Sequence, residues 1–259
     1  MAKVSVRTRD QAQAATLAAG LAGTAGCHAY FAGERDPIHL HLHRLKPGEA
    51  LTLEPGARDC AAYVWQGAVM AGGVDLAAGS SAIVGCGMSL ALTGASSEAA
   101  LVLCFAGSAD QDGVGTVRLL PAARVPRMAA EAGTSGVSGG LHADSDWPGS
   151  AVWLHENHFP GGMELSPEQA ARGIHSHSED EIIFVTAGAM RLGQRLVGPG
   201  TAIAIAADTL YSFTASPEGL SFVNFRAAMP GDIRFASGAS ISETGYWRER
   251  VGRPDYLLV

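Results

Sequence analysis

The stretch from Gly173 to Gly188 places metal-binding side chains at a spacing that brings them together. His175 and His177 are separated by one residue, so both imidazoles leave the same face of a β-strand. Glu181 follows once the intervening polar residues have turned the chain. Two imidazoles and one carboxylate suit Fe²⁺, Mn²⁺, Zn²⁺ and Ni²⁺, and such a set with open positions is typical of non-haem iron sites. The stretch therefore predicts one divalent metal ion per chain, with iron or manganese favoured.

The same spacing resembles the first conserved motif of the cupin superfamily. In that motif HxH is followed after three residues by glutamate and after six more by glycine; here these positions are His175, His177, Glu181 and Gly188. Residues 166–173, which precede the motif, are interpreted as an inserted helical turn. The resemblance implies a two-domain cupin, or bicupin, similar to the RmlC-like cupins.

The second motif of that family is altered in this chain. The family pattern runs glycine, five residues, Pro-x-Gly, two residues and a histidine that completes the metal site. Counting from Gly200 places Ala206 at the proline, Asp208 at the glycine and Tyr211 at the histidine. The Tyr211 phenol is interpreted in two ways. Either it faces the ion, as a ligand or as a catalytic general acid/base with a lowered pKa, or it fills the barrel mouth as a core aromatic beside Phe213.

A strand shortly before the motif offers further substrate-binding side chains. His155 and His158 lie on opposite faces of this strand, because their spacing of three is odd. If the inward face carries Trp153 and His155, these border the metal and the substrate. If the other face points inward, Glu156 and His158 take that place. The pattern leaves both arrangements open.

The resemblance gives the fold more directly than the reaction, because the cupin fold supports many activities. We expect a metal-dependent enzyme that acts on a small polar or carboxylate metabolite, with dioxygenase-type oxidation ahead of hydrolysis or isomerisation. Arg191 and Arg195 are candidates to pair with a substrate carboxylate. The alternative hypothesis is a non-catalytic binding or sensor protein in which the altered second motif marks lost activity.

Composition excludes several classes of partner. The chain of 259 residues has a formal net charge of −7, and its Lys and Arg residues form no run, so neither nucleic acid nor a membrane surface is expected to bind. Its apolar runs fall short of the roughly 18 residues that a membrane span needs. Four cysteines, Cys27, Cys60, Cys86 and Cys104, show no CxxC spacing and are predicted to be free, buried thiols in a cytoplasmic protein.

A repeat of strand and turn signals predicts an all-β fold of two tandem cupin barrels, each a double-stranded β-helix or jelly roll. Aligning Gly67 with Gly188 places Glu54, Gly56 and Cys60 where the second barrel has its metal ligands. The first barrel is therefore predicted to be a structural partner without a metal set.

Five segments are predicted from this organisation. They are an N-terminal helical segment (1–26, with the helix itself from near 10 to near 23), an N-terminal barrel without metal ligands (27–124), a linker (125–150), a C-terminal barrel with the metal site (151–235), and a tail that packs on a barrel or a second subunit (236–259). The Ala-rich helix, the apolar tail and a strand faced by histidines favour a homodimer.

That strand carries His39, His41 and His43 on one face, in alternation with leucines. Its histidines are interpreted as a subunit interface or a solvated face, with a second metal site as the alternative.

Overall fold

The computed structural model describes residues 3–15, 21–35, 38–107, 115–129, 137–145, 147, 150–162 and 173–259. Within these ranges the chain consists mainly of antiparallel strands arranged in four sheets, which confirms the predicted all-β class. The predicted inserted turn at 166–173 lies almost wholly outside the described residues.

The N-terminal barrel consists of two sheets. Its large sheet has the strand order β2 (Gln13–Ala14), β4 (Gly26–Ala29), β5 (Leu40–Leu45), β12 (Ala100–Ala106), β7 (Cys60–Gln66), β10 (Ser81–Val84), β13 (Val117–Leu120) and β24 (Leu257–Leu258). Its small sheet has the order β3 (Leu21–Gly23), β6 (Ala50–Leu53), β11 (Leu90–Gly94), β8 (Ala68–Ala71) and β9 (Val74–Ala77). Alternate residues of both sheets enclose an apolar interior.

The C-terminal barrel repeats this plan. Its large sheet has the order β1 (Val4–Arg7), β20 (Ala202–Ile205), β18 (Glu181–Leu192), β21 (Phe213–Arg226), β16 (Trp153–Phe159), β15 (Ser138–Asp144) and β14 (Arg127–Met128), and β19 (Arg195–Val197) pairs with β18. Its small sheet has the order β17 (His175–His177), β22 (Asp232–Phe235) and β23 (Ser240–Ser242). The described helices are one α-helix, Glu243–Arg250, and two 3₁₀ turns, Arg9–Gln11 and Ala122–Arg124.

Backbone conformation at equivalent turns supports the repeat. Positions aligned by the sequence repeat have positive φ in both barrels: Gly67 (73°) and Gly188 (65°), Gly79 (82°) and Gly200 (84°), Gly87 (72°) and Asp208 (57°). Positive φ favours glycine and, among other residues, Asn or Asp. Asp208 therefore keeps the turn of the second motif although it replaces the glycine.

The main hydrophobic core lies between the two large sheets. Leucines of β5 and aromatic and aliphatic residues of β18 and β21 pack across this interface, with Phe105 stacked on Phe225 at a centroid distance of 4.8 Å. Because neighbouring residues on these strands point to opposite faces, the intervening side chains point into the two barrels. The barrels therefore share one core and each keeps its own interior.

Both ends of the chain pair with the barrel that is distant in sequence. Strand β1 pairs with β20 of the C-terminal barrel, and β24 pairs with β13 of the N-terminal barrel. The tail also places its helix, through Trp247 and Val251, against Met128, Leu141 and Trp153. The tail therefore packs on both barrels of its own chain.

The predicted helix from near Asp10 to near Gly23, within the predicted helical segment 1–26, is wrong for the described residues. The 3₁₀ turn Arg9–Gln11 is followed by strands β2 and β3, while 16–20 lie outside the description. Glycine weakens the helical preference of this Ala-rich run. The strands β4 and β6 instead accept β2 and β3 as neighbours, which satisfies the backbone hydrogen bonds.

The predicted linker, 125–150, is also corrected where it is described. It contains β14 and β15, and β15 pairs with β16 as a strand of the C-terminal barrel. A Cβ atom at Gly139 would lie 2.5 Å from the carbonyl oxygen of Glu156. Glycine is therefore needed here for close strand packing, whereas its abundance had indicated a flexible linker.

The four cysteines are free and buried, as predicted. None of the described helices is long and apolar enough to cross a lipid bilayer.

Candidate metal site and cavity

The fold brings the predicted metal-binding residues to one end of the C-terminal barrel. His175 and His177 lie on β17, and Glu181 is the first residue of β18. The backbones of His175 and Tyr211 exchange hydrogen bonds of 3.0 and 2.9 Å. The ring of His175 lies 5.0 Å from that of His177 and 4.6 Å from that of Tyr211, measured between centroids. Tyr211 thus stands beside the histidines, at the place of the family's fourth ligand.

Each histidine has Nδ1 close to an acceptor, which leaves Nε2 available for an ion. Nδ1 of His175 lies 2.7 Å from the carbonyl oxygen of Gly173, and a carbonyl can only accept. Nδ1 of His177 lies 3.0 Å from Oε2 of Glu243. Metal-binding histidines commonly donate their other ring N–H to a carbonyl or carboxylate in this way. Burial also lowers the pKa of His175, which keeps its imidazole neutral.

Glu181 supplies the carboxylate of the site. Its Oε2 lies 3.9 Å from Nε2 of His177 and accepts a hydrogen bond of 2.7 Å from Asn224. Its Oε1 is buried and has no hydrogen-bond partner. Two ligand atoms bound to one ion at about 2.1 Å can be no more than about 4.2 Å apart, so the pair fits a shared ion.

The donor set therefore fits a divalent ion, with one adjustment. Among the described residues, no three His, Cys, Asp or Glu side chains are already gathered at metal-binding distance. Binding therefore requires the third ligand, His175, to approach the point shared by His177 and Glu181.

Two residues that the sequence analysis did not single out complete the charged floor of the site. Nη1 of Arg226 donates to Oε1 of Glu243 at 2.7 Å, and Nη2 donates to Oε2 of Glu181 at 3.2 Å. Nη2 also lies 2.9 Å from Nδ1 of His177. Nδ1 of His177 therefore faces both an acceptor, Glu243, and a donor, Arg226.

Electrostatics hold this network in its charged form. Burial alone would raise the pKa of Glu243, but Arg226 and the hydrogen bond from His177 hold it at about 2. Burial alone would lower the pKa of Arg226, but Glu243 and Glu181 raise it above its ordinary value. Burial raises the pKa of Tyr211 well above 10 and the Glu181 carboxylate adds to this, the direction opposite to the lowered pKa predicted for a phenol that faces an ion. The phenol therefore stays protonated beside an ionised network.

The alternation of residues along β21 could have indicated two residues of this floor from the sequence. In β21, Val223 and Phe225 pack in the core between the barrels, so the alternate residues Asn224 and Arg226 face the cavity. Polar residues at alternate positions of an apolar strand therefore indicated the site. Glu243 had no such signal, because it comes from the tail helix.

The inward face of β16 is the face of His155. His155 is buried, lines the cavity and has its ring centroid 4.6 Å from that of Trp247. Its Nδ1 accepts a hydrogen bond of 2.8 Å from Nε1 of Trp153, and burial lowers its pKa to about 3. Trp153 is fully buried and supports His155 from behind without lining the cavity.

His158 lies on the opposite face and outside the cavity. Its Nε2 is 3.5 Å from Oε1 of Glu156, which also forms an ion pair with Arg127. The other oxygen of Glu156 accepts a hydrogen bond of 2.9 Å from Tyr63 of the N-terminal barrel. His158 therefore does not line the cavity, where its predicted substrate role would require it, and contacts Glu156 and Ser221 instead.

The site opens into a cavity of about 320 Å³. Its polar floor is surrounded by aromatic rings: Phe159, Phe213, Phe222, Phe235, Tyr246 and Trp247. Phe213, a predicted substrate-binding residue, lines the cavity together with Tyr211. Arg191, a predicted substrate-binding residue, is exposed on β18 and does not line the cavity.

Comparison with known proteins finds relatives in structure. No protein-family model and no curated protein matches the sequence. Protein Ylba from E. coli is 15% identical with a TM-score of 0.63, over 86% of this chain and 90% of that chain. A variant of Bacillus subtilis oxalate decarboxylase is 13% identical with a TM-score of 0.61, over 92% and 79%. Pumpkin seed globulin is 10% identical with a TM-score of 0.60, over 90% and 87%.

These similar structures are cupin-type jelly rolls. The chain has the cupin fold. At such low identities the likeness shows the fold alone, and the structures that share this cupin fold include both a decarboxylase and a seed globulin. Function must therefore be argued from the site itself.

Proposed function

We propose that this cupin is a metal-dependent enzyme that acts on a small polar or carboxylate metabolite in its C-terminal barrel. The observation that supports the proposal is that His175 and His177 line a cavity of about 320 Å³ and that Oε2 of the buried Glu181 lies 3.9 Å from Nε2 of His177. The proposed cofactor is one divalent ion held by these residues, with iron or manganese favoured. Bound there, the ion supplies Lewis-acid or redox chemistry.

The protein's own side chains prepare the site. Arg226 neutralises part of the charge of Glu181 and Glu243, so the floor carries one net negative charge when its histidines are neutral. This net negative charge attracts a cation. One divalent ion is enough to neutralise it, so a second cation is not needed. Glu243 contacts Nδ1 of His177 at 3.0 Å and so fixes the orientation of the ring.

Tyr211 is the proposed proton donor. Its phenol is buried, protonated and next to Glu181, so it can deliver a proton to a substrate atom held over the floor. The neutral ring of His155, held by Trp153, is available as a hydrogen-bond partner for the same substrate. These groups support a proposal of catalysis rather than of binding alone.

The cavity favours a small substrate with one polar and one apolar end. A volume of about 320 Å³ is at the lower end of the range for ligand pockets, about 300 to 1,000 Å³. A carboxylate or hydroxyl of the substrate would face the floor, and the remainder would contact the aromatic mouth. A structure with the same fold is an oxalate decarboxylase, which by its name acts on a small carboxylate.

We propose oxygen-dependent oxidation as the first reaction class to test, ahead of hydrolysis and isomerisation. A face of two histidines and one carboxylate leaves positions for both a substrate oxygen and O₂.

The test is oxygen consumption and product formation by iron- or manganese-loaded protein with a panel of small carboxylic and hydroxy acids. We expect turnover in the wild type and in Arg191→Ala, an exposed arginine that serves as the matched control, and none in His175→Ala. If the fully loaded wild type neither consumes O₂ nor converts any acid of the panel, the enzyme proposal fails. The protein would then be the non-catalytic binding or sensor cupin.

A further inference from the structure

The interior of the N-terminal barrel contains a group of thiols and imidazoles that the proposed function does not use. We define the N-terminal thiol–imidazole cluster as Cys27, His41, His43, Cys60 and Cys104. His41, His43, Cys60 and Cys104 alternate with side chains that pack between the barrels, so they face the barrel interior, and the buried Cys27 lies opposite His43. The cluster joins strands β4, β5, β12 and β7.

Strand register brings four of these residues side by side. His41 lies opposite Cys104 of β12, and His43 lies opposite Cys27 of β4. Side chains directly opposite on antiparallel strands have Cβ atoms about 5 Å apart, and diagonal neighbours are about 7 to 8 Å apart. The ring centroids of His41 and His43 are 6.2 Å apart. Each thiol therefore lies within side-chain reach of both rings.

Two residues of the cluster occupy positions that correspond to His155 and Asn224, which line the cavity beside the candidate metal site of the other barrel. Cys104 pairs with β7 as Asn224 pairs with β18, and His41 lies opposite Cys104 as His155 lies opposite Asn224. The two positions are therefore equivalent in the repeated fold, but their side chains differ. The N-terminal barrel carries soft sulfur donors where the C-terminal barrel carries oxygen donors.

His43 is the observation that points to a bound ligand. Its side chain is 0% exposed, and neither Nδ1 nor Nε2 has a hydrogen-bond partner. Buried polar atoms in folded proteins almost always have a partner, and one without a partner is a sign of a missing water or ion. A neutral imidazole beside thiols has the donor type that a soft or borderline metal ion accepts.

We propose that the N-terminal barrel binds a thiophilic metal ion, Zn²⁺ or Cu⁺, through His41, His43 and the thiolate of Cys104 or Cys27. Zinc and cuprous ions both accept two imidazoles and one thiolate. The two thiols cannot share the ion, because their strands lie on opposite sides of β5 and are about 10 Å apart. As the sulfur–metal bond forms, the thiol proton leaves to solvent.

Burial lowers the pKa of His43 to about 3, so its ring is neutral and has a free lone pair. Burial raises the pKa of Cys27 to about 11 and that of Cys104 well above 9, so both are neutral thiols until a metal displaces one proton. His41 is half-buried and connects the cluster to solvent, while binding requires the rings to turn toward a common point.

The experiment uses the full chain with the other site removed. The double variant His175→Ala/His177→Ala is titrated with Co²⁺ under reducing, oxygen-free conditions, and the near-ultraviolet spectrum is recorded. We expect about one equivalent of Co²⁺ to give a thiolate-to-cobalt charge-transfer band that Zn²⁺ then removes. Adding Cys27→Ser and Cys104→Ser should abolish the band.

The matched control is Cys86→Ser in the same background, because Cys86 is a buried cysteine outside the cluster. We expect this variant to keep the full band, and His43→Gln to lose it. The proposal is overturned if the folded double variant shows no band, or if the band survives loss of both Cys27 and Cys104. If the variant that lacks both Cys27 and Cys104 does not fold, the spectra of His175→Ala/His177→Ala and of His43→Gln in that background test the proposal instead. Because the background lacks His175 and His177, failure here leaves the proposed function of the C-terminal barrel untouched.

Discussion

At the scale of single residues, Arg226 is the cation that partly neutralises the two carboxylates of the site. It is fully buried and forms ion pairs with Glu181 at 3.2 Å and Glu243 at 2.7 Å. Removing one member of a buried ion pair leaves the partner charge without compensation in a medium that solvates it poorly. The stability of the C-terminal barrel should therefore depend on this arginine.

We predict that Arg226→Met lowers the free energy of unfolding by about 3 to 5 kcal/mol. The matched variant Arg191→Met changes an exposed arginine of the neighbouring strand and should stay within about 0.5 kcal/mol of the wild type. Urea unfolding followed by circular dichroism measures both. Equal effects of the two substitutions would show that the buried network does not stabilise the barrel.

Tyr211 tests whether the phenol works as an acid or as packing. We predict that Tyr211→Phe keeps the fold and the metal but lowers turnover by about 100-fold, because it removes a positioned proton donor. Tyr211→His places an imidazole at the position of the family's fourth ligand and should tighten metal binding. Titration of the three proteins with Fe²⁺ or Mn²⁺, together with turnover, separates the two roles. Unchanged turnover in Tyr211→Phe would show that Tyr211 acts only as a core aromatic.

His155 makes stability depend on pH. Its folded pKa of about 3 is below the ordinary value of 6.5. Above pH 6.5 both states are neutral and the group contributes nothing. As the pH falls below 6.5, only the unfolded chain takes up the proton, so stability declines until about pH 3.

We predict that His155→Gln reduces the loss of stability between pH 6 and pH 4 by about 2 kcal/mol, since one buried titrating ring is removed. His43, with a folded pKa also of about 3, adds to the decline in the same window and remains in this variant. Urea unfolding at a series of pH values measures the slope. Parallel curves for the variant and the wild type would contradict the assignment.

At the scale of elements, short sequence patterns predicted those features that depend on residues close together in the chain. The spacing of His175 and His177 placed both rings beside Glu181, because the two-residue period of a strand fixes side-chain direction. The turn residue Asp208 kept the second motif in register, with φ of 57°. The contact between Arg226 and Glu243 joins a strand to a tail helix, and no local pattern specifies such a pairing.

The two wrong segment predictions have the same origin. An Ala-rich run was predicted as a helix and a Gly-rich run as a linker, but both supply strands to sheets completed by distant residues. Tertiary hydrogen bonding outweighs intrinsic propensity when a sheet edge is available.

The strand β15 provides a direct test. We predict that Gly139→Ala lowers the free energy of unfolding by about 1 to 3 kcal/mol, because the new Cβ would lie 2.5 Å from the carbonyl oxygen of Glu156. The matched control is Gly198→Ala, where a Cβ meets no atom within 4 Å. Thermal unfolding of both variants measures the difference. A flexible linker would tolerate both substitutions equally.

At the scale of the whole molecule, the chain ends tie the barrels together. Strand β1 completes the C-terminal sheet and β24 extends the N-terminal one, across a core shared by both. The C-terminal tail therefore packs against its own chain. The described part of the N-terminal segment forms strands rather than the predicted helix. The homodimer stays a prediction, now with less apolar surface to support it.

The metal content of the purified protein tests the central claim most directly. We predict about one equivalent of iron plus manganese per chain in the wild type after loading and desalting, and almost none in His177→Ala. The control is His158→Ala, because His158 lies on the opposite face of β16 and contacts Glu156 instead. It should keep the full equivalent. A full equivalent of iron or manganese in His177→Ala, or none in the loaded wild type, would contradict the metal site in the C-terminal barrel.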